Sequence, residues 1–190
     1  MLTVKFTDNL DPEFINTILD IDASVYPENY QGTFDEIYDR FKANNDIFVL
    51  LYEDDKIIGY LCMFPIKKIL YDMIINDNRV FDSDIPGAYL EQYAPFNTYM
   101  LYLISTVIRP EYQKQGLSKY LINGFYDYIL NKKKENILFS TALSTSVTLS
   151  GKRMLEKLGF HIIKPLSESC NLHELIMDNK FYELIDGMSK

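Results

Sequence analysis

The chain has 190 residues, 47% of them apolar, with 15 tyrosines, 12 phenylalanines and no tryptophan. That is enough apolar material for one packed domain and argues against disorder. The formal net charge of −8 disfavours nucleic acids and anionic membranes as partners, because both are bound through a surplus of Lys and Arg.

Along the chain, "MLTVKF" alternates and predicts a strand. "DPEFINTILDIDASVY" predicts a helix capped by Asp11, with Pro12 at its first position and an apolar stripe of Phe14, Ile18, Ile21 and Val25. "TFDEIYDRFK" carries a capping box, Thr33 with Glu36, and an apolar face of Phe34, Ile37, Tyr38 and Phe41. "IFVLLYEDDKIIGYLCMF" places two strand-like runs around an acidic turn and predicts a hairpin. "IKKILYDMII" has helical spacing. From Tyr71 to Glu91 the chain is acidic, with Asp72, Asp77, Asp82, Asp84 and Glu91 against one base, Arg79.

"TYMLYLISTVI", residues 98–108, is apolar on both faces, as a central covered strand is. After it come the polar loop "RPEYQKQG" and a helix with Leu117, Leu121, Ile122, Phe125 and Ile129 on one face. Gly124 inside that helix costs about 1 kcal/mol against alanine, so close packing is expected there. "ILFSTAL" predicts a strand, "GKRMLEKL" a short helix, and "GFHIIKPL" and "LHELIMD" two last strands. The mixture predicts a three-layer α/β (α+β) domain with a mixed sheet over residues 1–190.

Cys62 and Cys170 form no CxxC pair and no disulfide framework, so a reducing, cytoplasmic setting is expected. The N-terminus does not read as a signal peptide, and no apolar run is long enough to span a membrane. No metal is expected, since His161 and His173 have no ligand-like spacing with either cysteine.

The loop at 109–118 carries the chemistry. A helix N-terminus exposes unpaired N–H groups and the positive end of its dipole, which together attract phosphate. Gly116 lets the backbone come close to a ligand. Gln113 and Gln115 can add amide donors, and Lys114 and Lys119 positive charge. Neither GxxxxGK[ST] nor GxGxxG occurs.

Gln113, Gly116 and Ser118 fill the defined places of Gln/Arg-x-x-Gly-x-Gly/Ala, with serine for the last. "VIRPEYQKQGLSKYLI" and, downstream, "LEKLGF" complete the pattern. The chain so resembles the GNAT N-acetyltransferase superfamily, specifically over 98–160 and in element order beyond. The resemblance implies a central sheet with a V-shaped splay and acetyl-CoA as co-substrate, its donor-binding motif at 98–131. The backbone of Val107 and Ile108 would pair with the pantetheine arm and acyl group. Gln113, Lys114, Gln115, Gly116, Leu117, Ser118 and Lys119 would hold the pyrophosphate. The Ile108 N–H would serve the developing oxyanion.

The acceptor implied is a primary amine of a small molecule, amino acid or peptide N-terminus, and the chain would act as a monomer or homodimer. An alkylamine, with a pKa near ~10.4, must lose a proton before it attacks. No Asp or Glu occurs from Thr98 through Ile108, where many members carry a base. Leu155 stands where many carry a tyrosine acid, and Thr148 where an asparagine is frequent. Ser105, Tyr102, Ser144 and Glu91 remain as substitutes. Tyr26, Glu28, Tyr30 and the acidic segment 66–97 offer an acidic, aromatic acceptor side suited to a cation. These departures also leave open a non-catalytic acyl-CoA-binding domain.

Overall fold

The computed structural model describes residues 1–7, 11–77 and 85–188, so Arg79, Asp82 and Asp84 lie outside the described residues. Seven strands form one sheet in the order β1-β2-β3-β4-β5-β7-β6. They are β1 (Leu2–Phe6), β2 (Phe48–Glu53), β3 (Lys56–Ile66), β4 (Asn97–Ile108), β5 (Ile137–Ser146), β6 (His161–Pro165) and β7 (Asn171–Ile176). Every neighbouring pair is antiparallel except β4 and β5. The early hairpin β2–β3 turns at Asp54, and the late hairpin is β6–β7.

Helices cover both faces. On one side lie α1 (Phe14–Val25), α2 (Phe34–Ala43) and α3 (Lys68–Asn76), which bury Ile15, Ile18, Ile21, Ile37, Phe41, Leu70 and Ile74 against β2 and β3. On the other lie α4 (Ser118–Lys134), α5 (Leu149–Lys157) and α6 (Asn179–Met188), with Phe125, Ile129, Leu155, Phe181 and Ile185 in a second core. The three layers match the sequence expectation. The C-terminal helix α6 was not among the expected elements.

Local signals account for most boundaries. The Thr33–Glu36 box forms reciprocally: Thr33 Oγ1 accepts from the Glu36 N–H, and the Thr33 N–H donates to Glu36 Oε2. The start of α1 differs from expectation. Asp11 accepts from the Glu13 N–H at 3.0 Å, which closes a turn ahead of the helix, and the helix begins at Phe14. Its buried stripe is Ile15, Ile18, Ile21 and Asp22, while Val25 faces outward.

Two irregularities in β4 shape the centre of the sheet. Cys62 pairs with Ser105 but Met63 pairs with Leu103, so Ile104 is a bulge. An extra residue reverses which face the following side chains occupy. Leu101 and Leu103 point to the α4 side, whereas Val107 packs on the α1 side and Ser105 meets Tyr60 there. Secondly, the β4–β5 ladder ends at Leu103↔Ser144, although β4 runs on to Ile108 and β5 to Ser146. Beyond that rung β5 stays paired with β7 on its other edge through Ser146, and Cys62 to Gly59 hold β4 from its other edge. The sheet splays between β4 and β5.

Gly124 seats α4. A Cβ there would lie 2.6 Å from Val49 Cγ1 and 2.9 Å from Val4 Cγ1, so the helix contacts β1 and β2 directly. On β7, fully buried His173 has Nε2 2.8 Å from Ser146 Oγ, and its Nδ1 has no hydrogen-bond partner among the described residues. Burial lowers the His173 pKa, with Lys152 and His161 acting in the same direction and Glu156 opposing.

Two stability outcomes follow. Gly124→Val should destabilise the chain by about 1–3 kcal/mol through overpacking, read as a lower urea midpoint at unchanged slope. Because the His173 pKa is depressed on folding, its contribution is complete above the unfolded value, near ~6.5, and declines as pH falls below it. The urea midpoint should therefore drop less between pH 7.5 and 5.5 in His173→Gln than in the parent.

Candidate active site

The loop between β4 and α4 is built as a row of donors. A 3-10 turn at Pro110–Tyr112 leads into Gln113, and Lys114 and Gly116 then take positive φ, +60° and +75°. The backbone N–H groups of Lys114 through Ser118 make no hydrogen bond among the described residues, and α4 has no side-chain N-cap. Such consecutive N–H groups at a helix start form an anion-binding concavity. A Cβ on Gly116 would meet nothing within 4 Å, so its role is conformational and leaves the approach open.

Side chains fix this loop to the β2–β3 hairpin. Arg109 donates its backbone N–H to the Ile58 carbonyl and its Nε–H to the Ile57 carbonyl. Tyr112 donates its hydroxyl to Glu53, and Lys56 pairs with Glu111. The two glutamines differ from expectation. Gln113 Nε2 donates to the Ile108 carbonyl at 2.8 Å and Gln115 Nε2 to the Glu111 carbonyl at 2.9 Å. Both amides hold the loop, so these N–H groups are spent within it. Lys114 and Lys119 are exposed beside it.

The splay opens next to this loop. The N–H of Arg109 faces β3, so by the alternation of an antiparallel ladder the N–H groups of Ile108 and Thr106 face the gap. The bond from Gln113 to the Ile108 carbonyl is consistent, since that carbonyl shares the open edge. Val107 is buried and its backbone faces β3, where its carbonyl touches Gly59. Ser144 Oγ donates to the Leu103 carbonyl at 2.8 Å and closes the last rung.

From the splay a cleft runs toward α1 and α2. Asp22, Tyr26, Tyr30, Arg40, Tyr60, Cys62, Ser105, Ser144, Ser146, Thr148 and Leu155 are among its lining residues. Asp22 is only 6% exposed. Tyr60 donates a short hydrogen bond to Asp22 Oδ1, Ser105 Oγ lies 3.0 Å from the Tyr60 hydroxyl, and the Tyr26 hydroxyl lies 3.3 Å from Ser105 Oγ. Burial, with the Asp22 carboxylate behind it, holds the Tyr60 pKa well above the ordinary tyrosine value, so the group stays a phenol. Burial likewise pushes the Cys62 thiol up to about 12, so it is not a thiolate nucleophile.

Of the side chains expected from sequence, Ser105 and Ser144 reach this cleft, as do Tyr26 and Tyr30. Tyr102 is fully buried with its hydroxyl 3.5 Å from Thr145 Oγ1 and does not line it. Glu91 does not line it either. Its N–H donates to the Pro65 carbonyl, near the far end of β4. None of the described residues of 66–97 lines the cleft, and Glu28 is exposed. Thr148 caps α5 by accepting from the Gly151 N–H. Asp22 and Tyr60 were missed. A signal existed for Asp22, which sits four residues after Ile18 on the buried stripe of α1, where a carboxylate is costly without partners.

The model of the Acetyltransferase (GNAT) family matches residues 15–160. No protein of curated function matches the sequence significantly. Among solved structures, Arabidopsis thaliana NAA60 in complex with acetyl-CoA aligns with TM-score 0.61 at 11% identity, over 93% of this chain and 100% of that one. The loading GNATL domain of CurA from Lyngbya majuscula gives 0.61 at 16%, over 93% and 98%. The ribosomal-protein-S18-alanine N-acetyltransferase from Escherichia coli gives 0.58 at 13%, over 95% and 97%. At these identities the likeness is one of fold, and the family match covers most of the sequence. The chain belongs to the GNAT acetyltransferase family and is an acyltransferase.

Proposed function

We propose that this enzyme transfers an acetyl group from acetyl-CoA to a primary amine by direct attack in a ternary complex. The observation that carries the reading is the juxtaposition of two unsatisfied backbone surfaces. One is the row of N–H groups at Lys114–Ser118, and the other is the open edge of β4 at Thr106–Ile108. A pyrophosphate suits the first and an amide-bearing arm the second.

In this reading Gly116, Leu117 and Ser118 bind phosphate oxygens through their N–H groups, with Lys114 and Lys119 adding charge. The backbone N–H groups of Thr106 and Ile108 orient the pantetheine arm, whereas the Val107 backbone expected for this part is taken up by β3. Bound acetyl-CoA supplies an activated thioester. The Ile108 N–H, aimed into the gap, stabilises the oxygen that gains charge during transfer. The amine comes from the opposite side, through the cleft between α1, α2 and the splay. Cys62, held as a thiol, is unsuited to carry the acyl group, which favours direct transfer. The acceptor is a small molecule, amino acid or peptide N-terminus, of which only the amine need enter.

Acetyl-CoA at ~100 times its dissociation constant should add about 2.7 kcal/mol of stability, whereas NAD should not. Absence of a thermal shift with acetyl-CoA would overturn the donor assignment. Gly116→Asp places a carboxylate beside the anion site. It should weaken acetyl-CoA binding about a hundredfold, equivalent to ~2.7 kcal/mol, by calorimetry on a folded variant. Thiol release over a panel of primary amines tests the transfer itself.

A further inference from the structure

The cleft hydroxyls are joined in a chain whose direction is fixed by its buried end. Asp22 as a carboxylate can only accept. Tyr60 has one hydroxyl proton and gives it to Asp22, so in its contact with Ser105 the serine must donate. Ser105 has then spent its proton, so in the contact with Tyr26 the tyrosine must donate. Each of these protons points inward, and Ser105, its one proton spent, can only accept from the cleft. Ser144, across the splay, has likewise spent its proton on the Leu103 carbonyl. Thr106 Oγ1 has no partner, but it is buried and on the opposite face of β4 from Ser105.

We propose that this Asp22–Tyr60–Ser105–Tyr26 chain determines acceptor specificity, by presenting Ser105 as an acceptor-only hydroxyl that takes an N–H hydrogen of the incoming amine and turns away carboxylate and carbonyl oxygens. The proposal rests on the acyltransferase reading and deepens it, because an amine held by its N–H groups keeps its lone pair free to attack. Asp22 and Tyr60 act through Ser105 and Tyr26 and are positioning residues. Charge alone does not account for the selectivity, since Arg40 lines the same cleft as Asp22. The direction of the chain decides it. Tyr60→Phe removes the one proton that fixes this direction, keeps the ring and leaves every charge in place. Ser105 is then free to turn its proton outward.

The test uses n-butylammonium and n-butyrate as probes, followed by amide chemical-shift titration of the full chain saturated with CoA. The parent should bind butylammonium with shifts centred on Tyr26 and Ser105, and butyrate at least about tenfold more weakly, the equivalent of one hydrogen bond gained against one lost. Tyr60→Phe should erase that preference while acetyl-CoA affinity stays within about twofold, a change that a loss of packing would not confine to acceptor selectivity. Ser105→Ala, a smaller change, should lower butylammonium affinity without improving butyrate. Parental selectivity in Tyr60→Phe, equal binding of both probes by the parent, or no shifts at the cleft would each overturn the proposal. Failure of acetyl-CoA to bind would instead overturn the acyltransferase reading, and the probe preference can still be measured without CoA.

Discussion

The site depends on one broken rung. β4 and β5 are parallel neighbours through Leu103↔Ser144 and then part. A central strand that loses its partner leaves backbone N–H and C=O groups unpaired, which is costly unless something replaces the bonds. The protein covers part of this loss itself: Ser144 takes the Leu103 carbonyl and Gln113 the Ile108 carbonyl. The remaining donors face the gap. Each strand keeps its other neighbour, β4 on β3 and β5 on β7, so only the two inner edges are left open. In the proposed reading, an opening through the middle of the sheet lets two reactants approach from opposite faces.

The bulge at Ile104 is the second half of the same device. Without it, Ser105 would share the face of Leu101 and Leu103 and point toward α4. With it, Ser105 faces α1 and completes the chain from Asp22. A carboxylate buried to 6% exposure must be compensated by hydrogen bonds. The chain from Tyr60 supplies one, and the same bond sets the polarity of the cleft wall. In the proposed reading, stability and selectivity draw on the same atoms.

The sequence made much of this legible. The 3.6-residue and 2-residue periods located the helices and hairpins, and the Thr33–Glu36 box fixed the start of α2. The Gln-x-x-Gly-x-Ser run pointed to an anion site, and at that loop the structure has a row of backbone N–H groups without hydrogen bonds among the described residues. These are local signals, carried by residues close in sequence. The chain of hydroxyls was not legible, because Asp22, Tyr60 and Ser105 are brought together from α1, β3 and β4. The bulge that turns Ser105 follows from the pairing of Cys62 and Met63, and alternation within β4 alone points the wrong way. Glu91 illustrates the converse. It is an acid close to β4 in sequence, yet it lies beside Pro65, several residues of strand from the gap.

The missing carboxylate on β4 takes a different meaning in this light. At Ser105 the strand offers a hydroxyl, and the negative charge stands two hydrogen bonds deeper, on a helix. A carboxylate on the strand itself would meet the acceptor directly and would attract any cation by charge. A hydroxyl polarised from behind attracts less but discriminates by direction, since its single proton is already committed. Leu155 fits the same arrangement: buried beside the cleft in the helix opposite, it adds no proton donor of its own. In the proposed reading the acceptor side reads the hydrogen-bond sense of its ligand. The row of backbone N–H groups after Gly116 would be preserved under almost any change on that side, because no side chain of the Asp22 chain contributes to it.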